Sequence, residues 1–148
     1  MSDNAAFLKP SAVERLFNQA FGMLLRVGIG LGHNYLLEVR GRKTGRMYSA
    51  PVDVLDYGGR RFLVCGRGQS QWVRNAQAAG RVALAKGGKR TEFTISTVPD
   101  PEKPVLIKAY VERFKLTVQR YFPVAAGSPL ADFETIAARY PVFELKRE

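Results

Sequence analysis

Apolar residues near the start of the chain follow a helical spacing. Between positions 11 and 31 they recur every three or four residues, which predicts an amphipathic helix that Ser11 can cap. Gly28, Gly30 and Gly32 favour a break at its end, because glycine is unfavourable inside a helix. Polar residues interrupt the run, so it falls short of the ~20 apolar residues that span a bilayer. Packing on the core is the first expectation for this helix, and weak contact with a membrane surface is the alternative.

Apolar and polar side chains alternate in the middle of the chain, as they do in β-strands. Glycine pairs at 58–59 and 87–88 predict tight hairpins between consecutive strands. One helix interrupts the series, from Gln71 to Ala79, with Ser70 as its cap and Gly80 at its end. The predicted strands cover residues 35–40, 47–57, 61–65, 81–85 and 89–98.

The last third of the chain returns to a helical pattern. Pro101 favours the start of a long helix to about Phe122, and a shorter helix is expected to end near Arg139. With no repeat, low-complexity segment or linker, the pattern predicts one α+β domain over residues 1–148. We expect an antiparallel sheet of about six strands that closes into a small barrel, with the helices outside it. The barrel would use residues 35–98 and 142–146, and the helical segment residues 100–139.

Composition narrows the chemistry that the chain can support. One cysteine, Cys65, and one histidine, His33, exclude an intramolecular disulfide and make a conventional metal site unexpected. We expect Cys65 to pack as a small apolar residue, and core packing is the default for Tyr110 and Tyr121, with proton donation as the alternative. The N-terminal sequence lacks the pattern of a secretory signal, which favours a cytoplasmic location, at most peripheral to the inner face of the membrane.

The positive charge is concentrated in one segment. Residues 40–90 contain twelve Lys or Arg and two acidic residues, so this segment carries a net charge of +10, equal to that of the whole chain. General solubility does not require such a concentration. The distribution therefore favours a polyanionic partner for this segment, such as a phosphorylated cofactor, nucleic acid or an anionic membrane.

A glycine-flanked basic turn occupies residues 41–46, with the sequence Gly-Arg-Lys-Thr-Gly-Arg. The glycines allow a tight bend that can direct backbone N–H groups to one point. Arginine, lysine and threonine add donors for phosphate or carboxylate oxygens. The spacing is not that of a Walker A loop. The turn is thus a candidate anion site, and a solvated hairpin turn is the alternative.

A second motif lies at the start of the helix predicted for residues 71–79. It places Trp72, the only tryptophan, shortly before Arg74 and Asn75. The start of a helix offers free N–H groups and positive partial charge, and tryptophan offers a flat wall. This combination suits a flat heteroaromatic ring with polar edges. The alternative is that Trp72 anchors the helix in the core.

Taken together, the two motifs resemble the deazaflavin-dependent nitroreductase family. The resemblance rests on Leu36-Leu37, the turn at 41–46 with Tyr48 and Pro51 after it, the strand before Gly66, and Trp72-x-Arg74-Asn75. Members of that family are actinobacterial reductases that use coenzyme F420 on a split β-barrel similar to FMN-binding proteins. The resemblance implies the same fold and cofactor here, with FMN as the weaker alternative. The phosphodiester and glutamates of F420 would match the excess of cations.

The resemblance also implies the residues of a cofactor site. The basic turn would hold the phosphate and acidic tail through Arg42, Lys43 and Thr44. The deazaflavin would lie against one strand and one strand end, and the tryptophan helix would close over it. The implied residues of these three parts are Tyr48, Ser49, Ala50, Pro51 and Val52; Val64, Cys65, Gly66 and Arg67; and Gln71, Trp72, Val73, Arg74 and Asn75.

The implied activity is transfer of a hydride from reduced F420 to an electron-poor small molecule, such as an enone, quinone or nitroaromatic, by a monomer or homodimer. No catalytic residue is assigned. One alternative is a non-catalytic carrier of deazaflavin, tetrapyrrole or lipid on the same fold. Another is a basic nucleic-acid-binding module, which the absence of interleaved aromatic residues and of an RNP sequence disfavours, so no nucleic-acid partner is expected.

Overall fold

Six antiparallel strands close into a barrel. A computed structural model describes residues 33–148, so the helix predicted for residues 11–31 lies outside the described residues. Around the barrel the order is β1-β2-β3-β6-β5-β4, with β4 paired to β1. The sequence prediction of about six antiparallel strands in a closed barrel with flanking helices is confirmed. The strands are β1 (Asn34–Arg40), β2 (Met47–Tyr57), β3 (Arg60–Val64), β4 (Arg81–Lys86), β5 (Lys89–Thr97) and β6 (Val142–Arg147).

Alternation along each strand divides the core into two parts. In β3, for example, Leu63 points into the barrel, where it joins the interior cluster with Leu37 and Phe143. Phe62 and Val64 point outward and pack beneath the C-terminal helices. Nearly every strand therefore needs apolar residues on both faces, which explains why the alternation in the sequence is imperfect.

One helix matches the prediction, whereas the two C-terminal helices are more broken than predicted. Helix α1 (Gln71–Ala79) has the predicted bounds and ends at Gly80, whose φ of 74° is left-handed. The single long helix predicted to Phe122 is wrong, because α2 (Lys103–Arg113) and α3 (Lys115–Val118) are separate and 3-10 turns flank them at Asp100–Glu102 and Gln119–Tyr121. The shorter helix is likewise reduced to α4 (Leu130–Glu134) and a 3-10 turn at Ala137–Arg139.

The break between α2 and α3 falls at Phe114, which is buried and has φ −118° and ψ 30°. Its ring centre lies 4.5 Å from that of His33 and 5.3 Å from that of Tyr110. His33 in turn is 3.0 Å from Asp53 Oδ1, and Thr117 Oγ1 donates to the other oxygen of Asp53. These tertiary contacts fix the chain where local helical preference would have continued the helix. They give His33 a structural role.

The barrel has two different ends. At one end lie the turn between β1 and β2, the end of β3 and helix α1. At the other end lie the glycine hairpins between β2 and β3 and between β4 and β5. Among residues 33–148 no helix is long and apolar enough to cross a membrane. The cytoplasmic location stays a prediction.

Candidate cofactor-binding site

The basic turn is a closed, hydrogen-bonded loop. The N–H of Gly41 donates to Arg46 O at 2.7 Å, and the N–H of Gly45 donates to Gly41 O at 3.0 Å. Gly45 has a φ of 73°, a conformation that side chains rarely adopt. A Cβ on Gly41 would lie 2.5 Å from Cε2 of Tyr48, so glycine is needed there for close approach. Both glycines of the motif thus have a steric reason.

Helix α1 holds the arginine of the turn. Arg42 Nη1 donates to Asn75 Oδ1 at 2.7 Å, and the backbone N–H of Arg42 donates to the same oxygen at 3.1 Å. Arg42 Nη2 donates to Gln71 Oε1 at 3.1 Å. Asn75 is 7% exposed. The guanidinium is therefore fixed in position before any ligand arrives, and the side-chain oxygen of Asn75 serves this purpose.

Thr44 and Lys43, also in the turn, do not contact helix α1 in this way. Thr44 Oγ1 accepts the N–H of Arg46 at 3.1 Å and lies 3.0 Å from the Tyr48 hydroxyl. Lys43 is exposed and has no hydrogen-bond or ion-pair partner in the described part of the chain. Its ammonium is consequently available to an anion.

Between the turn, the start of β2 and the start of α1 lies a cavity of about 490 Å³. Among residues 33–148, its lining includes three cationic side chains and no acidic one, so it favours an anionic ligand. Trp72 and Tyr48 provide aromatic walls. The lining residues are Gly41, Arg42, Lys43, Thr44, Tyr48, Ser49, Ala50, Pro51, Arg67, Ser70, Gln71, Trp72 and Asn75.

Ser70 is a buried polar residue at the edge of the cavity. It is 7% exposed, lines the cavity and precedes the first turn of α1. Its hydroxyl makes no cap hydrogen bond and has no partner among residues 33–148. A buried polar group without a partner costs roughly 1–3 kcal/mol. The oxygen is itself buried, so a carbonyl or phosphate oxygen in the cavity would accept from it only after the side chain turned toward the cavity.

Arg67 connects the cavity to the C-terminal helices. Its Nη2 donates to the Tyr121 hydroxyl at 2.8 Å, and its guanidinium carbon lies 4.7 Å from the centre of that ring. Arg120 donates to the same hydroxyl at 2.6 Å. Tyr121 is thus placed between two guanidinium groups, and it orients the one that lines the cavity. No local pattern in the sequence indicated this contact, which joins residues 54 positions apart.

Eleven of the residues that were predicted to form the cofactor site line the cavity, and the other six do not. Val73 and Cys65 are buried in the barrel interior, and Val64 packs under the C-terminal helices. Gly66 lies against Tyr121. A Cβ added at Gly66 would lie 3.2 Å from the Cβ of Tyr121. The other two are Val52, which packs on the interior cluster, and Arg74, which is exposed. Gly41 and Ser70 line the cavity but were not predicted to belong to the site. The sequence had indicated only that Gly41 lies in the basic turn and that Ser70 caps a helix.

Two other candidate groups belong to the core. Burial raises the pKa of the Cys65 thiol, so it is not a reactive thiolate at neutral pH. Burial also raises the pKa of Tyr110 well above its ordinary value. The Tyr110 ring packs edge-on against Phe114 and Phe122, with centres 5.3 and 6.1 Å away. Core packing, the default expectation for Tyr110, is confirmed.

Residues 14–122 match the family model of the F420H(2)-dependent quinone reductases. The match covers more than half of the chain, and the chain therefore belongs to this family. It is an F420H2-dependent reductase, with reduced coenzyme F420 as its hydride donor and a small molecule as its electron acceptor. The resemblance stated from the two motifs is confirmed.

Solved structures share the fold. The F420-H2-dependent reductase FDR-A is 21% identical with a TM-score of 0.54, over 80% of this chain and 100% of that one. A domain-swapped dimer is 22% identical with a TM-score of 0.54, over 90% and 93%. The haem storage protein HutZ of Vibrio cholerae is 17% identical with a TM-score of 0.53, over 78% and 82%. No curated protein matches the chain.

Proposed function

We propose that the cavity between the basic turn and helix α1 binds reduced coenzyme F420 and that this chain reduces a quinone. The observation that carries the proposal is that, among residues 33–148, the cavity lining has three cations and no carboxylate, with Arg42 already held by Asn75 and Gln71. A ligand with both acidic groups and a flat, polar-edged ring meets these requirements. The family's cofactor has both features.

The acidic part of the cofactor would lie at the turn. Arg42 is held by Asn75 and Gln71, so little side-chain entropy is lost when it binds a phosphate or carboxylate. Lys43 adds a movable charge, and the hydroxyl of Thr44 adds a short hydrogen-bonding group. Each charge-assisted contact that is sheltered from water contributes roughly 1.5–3 kcal/mol.

The ring would lie deeper in the cavity, against Trp72 and the start of β2 at Ala50 and Pro51. Ser70 would donate a hydrogen bond to an oxygen on the edge of the ring. Arg67, oriented by Tyr121, would lie on the side of the C-terminal helices. Gly66 does not line the cavity and would act indirectly, by allowing Tyr121 to approach.

When bound, the reduced deazaflavin supplies a hydride to the acceptor. The chain's own contribution is to bind and orient both molecules and to exclude water from the space between them. The face of the ring that is turned away from Trp72, Ala50 and Pro51 would be left for a flat acceptor. The family's quinone reductase activity favours a quinone over an enone or a nitroaromatic.

The acceptor is tested by single-turnover oxidation of enzyme-bound reduced F420 with menadione, cyclohexenone and a nitroaromatic at equal concentrations. We expect menadione to react fastest. Reduction of the enone or nitroaromatic without reduction of menadione would contradict the quinone proposal. Tight binding of F420 with no oxidation by any of the three would favour a carrier.

A further inference from the structure

A second cavity, of about 660 Å³, lies at the opposite end of the barrel. It shares no residue with the proposed cofactor cavity. Its floor is the last apolar layer of the barrel interior, formed by Leu84, Phe93 and Leu145. Its rim belongs to the two glycine hairpins and the end of β6.

Cations occupy the inward-facing positions of this rim. Because side chains in a strand alternate between faces, a residue two or four positions from an interior residue faces the interior side. By this count, the interior column of four strands ends in a positive charge. The four residues are Arg61 before Leu63, Lys86 after Leu84, Lys89 before Phe93 and Arg147 after Leu145.

Two of these cations converge on one ring. The guanidinium carbon of Arg61 lies 5.9 Å from the centre of the Tyr35 ring, and Lys86 Nζ lies 5.4 Å from it. Tyr35 also lines the cavity. The positive charges are therefore gathered at the mouth of the barrel and are not spread over its outer surface.

Negative charge at the mouth does not balance them. The one carboxylate that the described part of the chain contributes to the lining, that of Glu144, is bound by both Nε and Nη2 of Arg60, at 2.9 and 2.7 Å. Arg61 pairs with Asp56 at 3.2 Å. Lys89 and Arg147 have no ion-pair partner within residues 33–148. Like charges held together repel one another, an arrangement that solubility does not require and that a bound anion would relieve.

We propose that this cavity is a second anion site, which binds a small polyanion with two or more phosphate or carboxylate groups. A monoanion would leave most of the charge unmatched. The recessed mouth, with an apolar floor, suits a compact molecule whose charged groups stay at the rim. The site is independent of the proposed cofactor cavity at the other end of the barrel.

The test is calorimetric titration of the whole protein at low ionic strength with pyrophosphate and, separately, with citrate. These probes distinguish phosphate from carboxylate recognition. We expect the double variant Lys89→Gln, Arg147→Gln to raise the Kd of the better probe at least tenfold. The matched control Lys115→Gln, Arg139→Gln removes two exposed cations elsewhere and should leave the Kd within about twofold.

The Lys43→Ala variant distinguishes binding of the probe at the second cavity from binding at the basic turn. If the probe binds at the second cavity, its Kd is unchanged by this substitution, and saturating probe leaves F420 affinity unchanged. An equal loss in the two double variants would reduce the effect to screened surface charge and overturn the proposal. Loss of probe binding in Lys43→Ala, or no binding by either probe below millimolar concentration, would overturn it as well.

Discussion

At the scale of single residues, Lys43 distinguishes an anion site from a solvated turn. Lys43→Ala removes one charge-assisted contact and should raise the Kd for reduced F420 by about 10- to 150-fold, or roughly 1.5–3 kcal/mol. Its Tm should not change, because an exposed lysine that has no partner among residues 33–148 stabilises little. Titration and thermal unfolding measure the two effects, with Lys115→Ala as a matched control. Wild-type affinity in Lys43→Ala would remove the turn from the site.

Substitution of Ser70 should have opposite effects on the stability of the free protein and on F420 binding. Because its hydroxyl makes no cap hydrogen bond, Ser70→Ala should stabilise the free protein slightly, by up to about 1 kcal/mol. The same change should weaken F420 binding by about 1 kcal/mol or more, since a hydrogen bond to the ligand is lost. Thermal unfolding with and without F420 shows both effects. A loss of stability in the free protein would mean that the hydroxyl has a partner of its own.

At the scale of elements, the contact between α1 and the basic turn is what the site depends on. Asn75→Ala removes the acceptor for two donors of Arg42 and should cost roughly 1–3 kcal/mol of stability. Asn75→Asp keeps an acceptor, so the fold should be retained, but its charge neutralises Arg42 and should weaken F420 binding. Unfolding and titration of both variants separate positioning from charge. Wild-type F420 affinity in Asn75→Asp would exclude Arg42 from the anion site.

The ion pair between Arg60 on β3 and Glu144 on β6 makes the stability of the protein depend slightly on pH. Arg60 lowers the pKa of Glu144 by hydrogen bonding to its carboxylate. A lowered folded-state pKa stabilises the protein above the unfolded value of about 4.3 and is lost as the pH falls through the folded value. Glu144→Gln should therefore lower the free energy of unfolding at pH 7 by well under about 1 kcal/mol, and the resulting small difference in Tm should vanish in acid. A Tm difference that is independent of pH would contradict this assignment.

Local patterns in the sequence predicted the elements better than their contacts. The bounds of α1 and β2 follow from a glycine stop and from alternation, both of which are local. The break at Phe114 and the contact between Arg67 and Tyr121 depend on residues far apart in the chain. Trp72 combines both readings of its motif, because it packs on the barrel interior and lines the cavity.

At the scale of the whole molecule, the excess charge of residues 40–90 is not one surface. The sequence suggested a single polyanionic partner, whereas the fold sends Arg42, Lys43 and Arg67 to one end of the barrel. Arg61, Lys86 and Lys89 go to the other end. Antiparallel strands reverse direction at each hairpin, so neighbours in sequence reach opposite ends. Charge counting alone could not reveal this division.

Fluorescence of Trp72 shows whether F420 binds between the basic turn and α1. Trp72 is the only tryptophan in the chain and lines the cavity, so its emission reports on that space. Titration with reduced F420 should quench the emission saturably at micromolar concentrations, with FMN weaker and free tryptophan as a control for absorbance. In Lys43→Ala the same quenching should require higher concentrations. Binding of F420 by equilibrium dialysis without a change in Trp72 emission would place the cofactor elsewhere and contradict the account.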